Sequence, residues 1–374
     1  MKMMWMLLFM ALPVAGIAYV CWHVWTLLPL ASVCKWAIIA VGILSFLTLF
    51  LDLSRRLDAM PLPLARVLYE VGTSSIIVLL YLVMTFLVLD LGRLVHLVPR
   101  PWLYSNGVTA MAITGLIVTV LLCGNIHYYR KVRVPLELTT TKSLPHDYRI
   151  VMLSDLHLGY HNTRADLRKW VDIINAERPD LILIAGDIID IRVEPLVKEH
   201  MAQEFLRLQA PVYACLGNHE YYSGEPKAEQ FYHDAHIHLL SDSSTVVDDA
   251  LLIIGRDDRT NRRRKSVGTL TAEGRQQTSD EGRRLYTIVL DHQPYELEKT
   301  EQAGVDFQLS GHTHRGQVWP ISWITDAVYE CSWGSHQRGR TRYYVSSGLG
   351  IWGGKFRIGT QSEYVVATLR RPSR

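Results

Sequence analysis

The sequence predicts a bundle of α-helices that crosses a membrane, followed by an α/β domain. Residues 3–129 are mostly Leu, Val, Ile, Ala, Met and Trp with sparse charge, whereas charged residues alternate with short apolar runs from about Lys131 onward. A chain of 374 residues is long enough for two domains. We predict a four-helix transmembrane region at 1–130, a linker at 131–147 and an α/β domain at 148–374.

Four apolar stretches in the first part are long enough to cross a membrane as helices. A hydrocarbon core about 30 Å thick needs about 20 apolar residues in a helix, and the stretches lie at 6–30, 36–53, 74–98 and 108–129. A cleavable signal peptide accounts for at most the first stretch, and no small-residue cleavage site follows it. We expect retained helices, because the buried helices of a soluble protein rarely lack a polar face.

Lysine and arginine residues near the predicted spans are unevenly divided between the two sides of the membrane. Seven lie on the side of the N-terminus, namely Lys2, Arg55, Arg56, Arg66, Arg130, Lys131 and Arg133. Three lie on the other side, namely Lys35, Arg93 and Arg100. Because basic residues are enriched in cytoplasmic loops, we expect the N-terminus and the α/β domain in the cytoplasm. This orientation requires an even number of spans.

Cysteine usage and net charge exclude some classes of protein. The five cysteines include no CxxC pair, which favours neither a disulfide framework nor a zinc finger and agrees with a cytosolic domain. The net charge of +3 is too small to indicate a nucleic-acid partner.

The second part of the chain alternates predicted strands with predicted helices. Apolar runs predict strands at 148–153, 181–185, 212–216, 237–240, 245–247, 251–254, 285–290, 307–309, 343–345 and 364–369. Apolar residues at helical spacing predict helices at 164–177, 202–209 and 229–236. This alternation indicates an α/β sandwich of mixed sheets covered by helices. Residues 257–282, which contain little apolar sequence, are expected to form an exposed loop or a weak helix.

Side chains that commonly bind metals directly follow five of these strands. The groups are Asp155-Leu156-His157, Gly186-Asp187, Gly217-Asn218-His219-Glu220, Asp291-His292 and Gly311-His312-Thr313-His314. Any one group alone is better explained as a helix cap or a hydrogen-bonded histidine. Open α/β sheets build their sites at the carboxyl ends of strands, so five such groups together indicate a dinuclear metal site.

These motifs, DxH, GDxxD, GNHE, a single His and GHTH in this order, resemble those of the calcineurin-like metallophosphoesterase superfamily. The resemblance covers about residues 148–369. The residues around Asp155 and His312 are similar to a bacterial branch with membrane-associated phosphodiesterases of the YkuE and YaeI type. The resemblance to this superfamily and branch implies a four-layer α/β/β/α sandwich and a hydrolase of the bacterial inner membrane. Some members of that branch are linked to hydrolysis of UDP-2,3-diacylglucosamine.

The resemblance also implies a role for each residue of the motifs. One metal would be held by Asp155, His157 and His314, the other by Asn218, His292 and His312, and Asp187 would bridge both. His219 would contact the phosphoryl oxygen or protonate the leaving oxygen, and Asp190 would orient it.

Ligands of this kind define the cofactor only in part. Nitrogen and oxygen ligands suit two divalent ions of Mn, Fe or Zn without choosing among them. Such a pair holds a hydroxide in line with the phosphorus, so attack is direct.

Two basic features beside the motifs have alternative interpretations. Arg315 stands where many relatives have Gly, and it could bind a phosphate through two hydrogen bonds or simply face solvent. The run from Arg256 to Lys265 could contact anionic lipid or a phosphorylated substrate, or form a solvated loop.

Three functions agree with these observations. The first is hydrolysis of a phosphodiester or pyrophosphate in a phosphorylated small-molecule or lipid substrate. The predicted spans place the chain next to membrane lipids, which favours a lipid substrate. The second is a nuclease or a general phosphomonoesterase with the same metals, although no basic stripe with interleaved aromatic residues supports a nuclease. The third is a non-catalytic membrane scaffold, against which the complete set of ligands argues.

Overall fold

A computed structural model describes residues 2–277 and 284–372 of the chain, with side chains from Ala11 onward. The chain forms two compact units. The helical unit comprises Met1–Ile126 and Gly353–Lys355, and the α/β unit comprises His127–Trp352 and Phe356–Arg374.

The described part of the helical unit contains five α-helices. They are α1 (Lys2–Leu27), α2 (Ser32–Leu47), α3 (Leu49–Leu53), α4 (Leu62–Leu94) and α5 (Gly107–Tyr129). Among the described residues, three segments are long and apolar enough to cross a membrane, namely Ser32–Leu53, Leu62–Leu94 and Gly107–Tyr129. The chain therefore associates with a membrane through apolar helices. The predicted span at 6–30 begins outside the described side chains, and its described part, Ala11–Leu27, is shorter, so a fourth span stays a prediction.

Contacts between helices stabilise the helical unit. The His23 ring of α1 stacks on Phe86 of α4 with centroids 4.2 Å apart, and its Nε2 lies 3.0 Å from the Asp90 carboxylate. Gly72 of α4 lies so close to α3 that a Cβ atom there would be 2.9 Å from the backbone nitrogen of Leu49. Small residues at such crossings let helix backbones approach each other.

The α/β unit is built from twelve described strands and eight described helices. The strands are β1 (Lys131–Thr139), β2 (Tyr148–Leu153), β3 (Leu181–Ala185), β4 (Val212–Cys215), β5 (Ile237–Leu239), β6 (Ser243–Val247), β7 (Leu251–Gly255), β8 (Tyr286–Leu290), β9 (Phe307–Ser310), β10 (Gly334–Arg338), β11 (Thr341–Val345) and β12 (Ser362–Arg370). The helices are α6 (Arg164–Ala176), α7 (Glu194–Lys198), α8 (Ala202–Phe205), α9 (Asn218–Ser223), α10 (Glu225–Asp234), α11 (Val267–Arg275), α12 (Leu297–Gln302) and α13 (Ile321–Val328).

These strands form two mixed sheets. The first has the order β1-β12-β2-β3-β4-β5 and the second the order β10-β11-β9-β8-β7-β6. Strands β2 to β5 run parallel, and β12 runs antiparallel to β2. In the second sheet β7, β8, β9 and β11 run parallel, with antiparallel β6 and β10 at the edges. The carboxyl ends of β2, β3 and β4 thus share one edge, as do those of β8 and β9.

Apolar clusters arrange the α/β unit in four layers. Ile150 of the first sheet and Ile288 of the second belong to one buried cluster between the sheets. Helix α6 covers the outer face of the first sheet with side chains such as Trp170. Helix α11 covers the outer face of the second sheet with Leu270. The predicted fold class, apolar helices followed by an α/β sandwich of mixed sheets, is confirmed.

Residues 131–139 form the edge strand β1 rather than the linker that the sequence predicts. They pair in parallel with β12 from Lys131 to Thr139. Leu136 and Leu138 are buried whereas Glu137 and Thr139 are exposed, so this stretch carries the alternation of a half-buried strand. Pro135 lies within the strand, and an edge position tolerates a residue that has no N–H to donate.

The stretch at 257–282, predicted to be an exposed loop or a weak helix, contains a short helix, and most of its described residues are exposed. Helix α11 lies within it and begins after Ser266, whose side chain accepts a hydrogen bond from the Thr269 N–H. Val267 and Leu270 are buried against the second sheet. Residues 278–282 of that prediction lie outside the described residues. The apolar residues of α11 are few, which is why the sequence pattern predicts only a weak helix.

Candidate metal centre

Five strand ends bring the candidate ligands to one edge of the facing sheets. Asp155 and His157 follow β2, Asp187 follows β3, and Asn218 begins α9 directly after β4. His292 follows β8, and the GHTH segment follows β9. These side chains are buried or nearly so, although they are polar, and they face one another rather than the apolar core.

One group of ligand atoms consists of Asp155, His157 and His314. The Nε2 atoms of the two histidines are 3.0 Å apart. The Asp155 Oδ1 atom lies 3.8 Å from Nε2 of His157 and 3.6 Å from Nε2 of His314. Metal–ligand bonds of about 2.1 Å at tetrahedral or octahedral angles separate ligand atoms by roughly 3.0–3.4 Å. This group therefore has the dimensions that a cation requires.

A second group consists of Asp187, His292 and His312. Asp187 Oδ2 lies 3.1 Å from Nε2 of His292 and 3.6 Å from Nε2 of His157. The same carboxylate oxygen thus faces both groups, whereas Asp187 Oδ1 accepts the backbone N–H of His219 at 2.9 Å. Within the described part of the chain, the buried Asn218 Oδ1 has no hydrogen-bond partner, as expected for an oxygen that binds a cation.

The imidazole rings of two candidate ligands are held in place through the ring nitrogen that faces away from the centre. His292 donates from Nδ1 to the carbonyl of Ala185 at 2.8 Å, which leaves Nε2 for the centre. His157 turns Nδ1 towards Asp190, whose Oδ1 lies 3.3 Å away. Metal-binding histidines in proteins are commonly oriented by a carbonyl or carboxylate at the other ring nitrogen. The donor set and its orientation therefore fit two divalent cations.

Two glycines of the motifs leave space for these carboxylates. A Cβ atom on Gly217 would overlap Asp187 Oδ1, and one on Gly311 would overlap Asp155 Oδ2. Only glycine allows the neighbouring loops to approach the carboxylates this closely.

The backbone of several candidate ligands lies in the left-handed region. The φ angles are 53° for Asp155, 45° for His157, 53° for Asp187, 69° for His312 and 46° for His314. This region costs an L-residue roughly 1–2 kcal/mol, and strained backbone of this kind is concentrated at functional sites.

His219 and Asp190 form a pair beside the two groups. Nδ1 of His219 lies 3.3 Å from Asp190 Oδ1, so its Nε2 is left for other contacts. Burial by itself lowers the pKa of His219, but the Asp187 and Asp190 carboxylates outweigh burial and raise it to about 9. Burial raises the pKa of Asp190, but the neighbouring histidines His157 and His219 lower it well below its usual range. Asp190 is therefore a carboxylate that faces two imidazoles.

The candidate ligands differ in their electrostatic environment. Burial and the neighbouring His292 lower the pKa of His312 to about 4, so its ring is neutral and keeps a lone pair for a cation. Burial lowers the pKa of His292, but the Asp187 carboxylate outweighs burial and raises it well above its usual range. A cation at Asp187 would compete with the proton on His292.

Glu220 is a positioning residue. The sequence identifies it only as the last residue of the GNHE motif. Its carboxylate is fully buried and accepts three backbone N–H groups, from Asp187 at 3.1 Å, Ile189 at 3.0 Å and Gly217 at 2.7 Å. It thereby fixes the loops after β3 and β4 relative to each other.

Asn162 supports His157, and no sequence pattern points to it. Its Nδ2 donates to the carbonyls of Leu156 at 3.0 Å and His157 at 2.9 Å, and also reaches Ile351 at 3.2 Å. Its Oδ1 accepts the hydroxyl of Tyr128. The loop that carries His157 is therefore tied to the glycine-rich segment around Ile351.

Arg357 is a buried arginine beside His314. It donates to the carbonyls of His314 at 2.9 Å, Ser347 at 2.5 Å and Gly350 at 2.9 Å. Burial lowers its pKa to about 10, so it remains positively charged. Residues 347–350 of the glycine-rich segment are thus held against the loop after β9.

Two arginines of the predicted basic run are internal. Arg256 Nη1 lies 3.0 Å from Asp291 Oδ2, and Arg264 Nη1 lies 2.9 Å from Asp291 Oδ1. These side chains are almost fully buried, and they fix Asp291 directly before His292. The interpretation of the whole run as a solvated or lipid-binding loop is therefore wrong for these two residues.

Arg315 is half-buried and stacks on an aromatic ring. Its guanidinium lies 4.3 Å from the centroid of Trp333. The Trp333 Nε1 donates to both carboxylate oxygens of the buried Glu363 at 3.1 Å. A substrate-binding role for Arg315 stays a prediction.

His161, which lies outside the five motifs, is fully buried near Asp190. Its Nε2 donates to the carbonyl of Ile351 at 2.7 Å, and its Nδ1 lies 4.0 Å from Asp190 Oδ2. His200, His233, His236, His238 and His336 are absent from the ligand groups formed by the described residues.

Comparisons with known proteins agree with this geometry. Residues 148–316 match the family model of the calcineurin-like phosphoesterases. The uncharacterized metallophosphoesterase YkuE of Bacillus subtilis is 34% identical over 257 residues, which covers 61% of this chain and 82% of that protein.

Two further relatives differ in length from this chain. An uncharacterized metallophosphoesterase of Campylobacter jejuni is 31% identical over 232 residues, or 61% of this chain and 60% of that protein. A transmembrane protein with metallophosphoesterase domain from Danio rerio is 28% identical over 290 residues, or 72% of this chain and 63% of that protein. The chain thus spans about three fifths of the length of such curated relatives.

We expect Glu220→Gln to weaken metal binding by about 10- to 100-fold, the usual effect of losing a group that supports a ligand. The backbone N–H groups that donate to the carboxylate of the natural chain would face the NH2 group of the side-chain amide in the variant. That group is itself a donor, so hydrogen bonds are lost. Metal affinity can be measured by competition with a chelator. Glu229→Gln, an exposed position on α10, is the matched control. Equal affinities in both variants would contradict the role of Glu220.

Proposed function

We propose a function from one established premise: this chain belongs to the calcineurin-like phosphoesterase family. The resemblance of its motifs is thereby confirmed. We propose that the chain hydrolyses a phosphodiester or pyrophosphate bond with two divalent metals, in a phosphorylated substrate attached to a lipid. The observation that carries the proposal is the cluster of carboxylates and imidazoles on both sides of Asp187 Oδ2.

The proposed ligand set follows the two groups of side chains. We assign one cation to Asp155, His157 and His314 and the other to Asn218, His292 and His312, with Asp187 shared. The separations of 3.0–3.8 Å within the first group and the unpartnered oxygen of Asn218 support this assignment. When bound, two such cations activate a water molecule and neutralise the charge that develops on the phosphoryl oxygens.

His219 is the proposed proton donor to the leaving oxygen. Its Nδ1 faces Asp190, which holds the ring so that Nε2 is available to the substrate. The carboxylates around it favour the protonated ring, and a positioned acid of this type contributes about 10²–10⁴-fold to a rate. Asp190 acts as a positioning residue, because it contacts His219 and His157 rather than the reacting atoms.

Arg315 is the proposed contact for a non-reacting phosphate of the substrate. It follows His314 directly, and its stacking on Trp333 restricts the guanidinium before substrate binds. A guanidinium can donate two parallel hydrogen bonds to one phosphate.

Attachment to the membrane supports a lipid-linked substrate. One residue, Arg130, separates the end of α5 from the start of β1, so the α/β unit is attached directly to a segment long and apolar enough to cross a membrane. An enzyme held in this way meets lipid substrates in two dimensions. The excess of basic residues on one side of the spans supports a cytoplasmic position of the α/β unit in a bacterial inner membrane.

We expect Asp187→Asn to lose metal and hydrolysis of bis-p-nitrophenyl phosphate together, because it removes the charge that both groups share.

His219→Gln should keep its metal but lose about 10²–10⁴-fold in kcat. Metal content and kinetics of the purified full chain in detergent test both. His233→Gln, at an exposed histidine, is the control. Undiminished hydrolysis by Asp187→Asn would refute the metal mechanism.

A substrate screen tests the lipid-linked class. We expect the metal-loaded chain to prefer UDP-2,3-diacylglucosamine in mixed micelles over cyclic dinucleotides and simple monoesters, because the chain is fixed at a bilayer. Values of kcat/KM for each compound give the comparison. A preference for monoesters or for nucleic acid would instead support the alternative functions.

The orientation is tested by fusions to the C-terminus. We expect a green fluorescent protein fusion to be fluorescent and an alkaline phosphatase fusion to be inactive, because the basic loops predict a cytoplasmic C-terminus. A pattern opposite to this one would place the α/β unit outside and indicate an odd number of spans.

A further inference from the structure

Helix α13 exposes most of its large apolar side chains and buries the polar Ser322. Trp323 is 65% exposed, and Ile324 and Val328 are each 59% exposed, whereas Ser322 is buried. A surface helix of a soluble domain shows the opposite arrangement, with its apolar stripe towards the core.

The exposed apolar residues of α13 lie on one face. At about 100° per residue, Trp323, Ile324, Ala327 and Val328 fall within one half of the helix. Trp319, which is also exposed, extends this face, since its ring meets Trp323 edge to face with centroids 5.4 Å apart. The face is continuous rather than a set of single apolar residues, and such surfaces mark sites of interaction.

The α13 face lies next to the candidate metal centre. A Cβ atom on Gly316, two residues after His314, would lie 2.5 Å from the backbone of Ile321, so the first turn of α13 packs directly on this loop. At the other end of the helix, the Tyr329 ring lies 6.4 Å from that of His312.

The covalent structure of the chain identifies the occupant. Helix α5 ends at Tyr129 and β1 begins at Lys131, so a bilayer surface is always within reach of the α/β unit. A helix with tryptophan and aliphatic residues on one face lies in the interfacial layer of a bilayer, where indole rings are favoured.

We propose that the apolar face of α13, formed by Trp319, Trp323, Ile324, Ala327 and Val328, inserts into the interfacial layer of the bilayer. This inference goes beyond the proposed hydrolase function and does not depend on it. It makes the wall beside the candidate metal centre a membrane-bound element.

Spin labels on the full chain test this proposal. The exposed or half-exposed Cys21, Cys34 and Cys123 are first changed to Ser, and the buried Cys215 and Cys331 are kept. A nitroxide is then attached at Val328→Cys, and in a separate protein at Val197→Cys. Val197 on α7 is the matched control, because it is an exposed valine of the same unit, with 61% exposure. The proteins are reconstituted in vesicles of phosphatidylethanolamine and phosphatidylglycerol.

Collision rates with oxygen, which concentrates in lipid, and with a nickel chelate, which stays in water, report the depth of each label. We expect the Val328 label about 5–10 Å below the headgroups and the Val197 label in water. Equal access of the nickel chelate to both labels would overturn the proposal. Spin–spin broadening at Val328 that disappears on dilution with unlabelled protein would also overturn it, since a second copy would then cover α13.

Discussion

The structure of the α/β unit depends on the burial of two carboxylates, Asp155 and Asp187, among several imidazoles at the edge of two facing sheets. Charged groups out of contact with water are unfavourable unless other charges or hydrogen bonds compensate them. The loops around the carboxylates are built to provide that compensation. Asp155 accepts the hydroxyl of Ser154 and the N–H of His312, and Asp187 accepts the N–H of His219. Two cations bound here would complete the neutralisation, in agreement with the way the candidate ligand nitrogens and oxygens face one another.

The contacts around this centre join segments that are distant in the sequence. Glu220 connects the loops after β3 and β4 within the first sheet. Arg357 connects the glycine-rich segment to His314 after β9 of the second sheet. Arg256 and Arg264, from the segment after β7, hold Asp291 before the candidate ligand His292. Each of these charged groups is buried and compensated by hydrogen bonds or by an opposite charge, so losing that compensation is unfavourable. The ligands are therefore positioned by the whole edge of the sandwich and not by single loops.

The helices of the first unit and helix α13 connect this chemistry with a membrane. Three described segments are long and apolar enough to cross a bilayer, and Arg130 alone separates α5 from β1. This short connection attaches the α/β unit to apolar helices, and it gives the exposed tryptophans of α13 a physical explanation that a freely soluble domain would lack. The same arrangement is the reason for proposing a substrate attached to lipid, because enzyme and substrate would then share one surface.

The sequence by itself determined the class of both units and the residues that meet at the centre. Long apolar stretches predict membrane helices, and metal-binding side chains after five short apolar runs predict one cluster, because parallel strands bring their carboxyl ends together. Edge strand β1 was predictable in principle from its alternation, but its basic and Thr-rich ends resemble a linker. Only the tertiary structure decided that Arg256 and Arg264 are internal, since their partner Asp291 is far along the chain. It also decided that the apolar face of α13 is the exposed one, because a helical pattern defines two faces but not which of them meets the core.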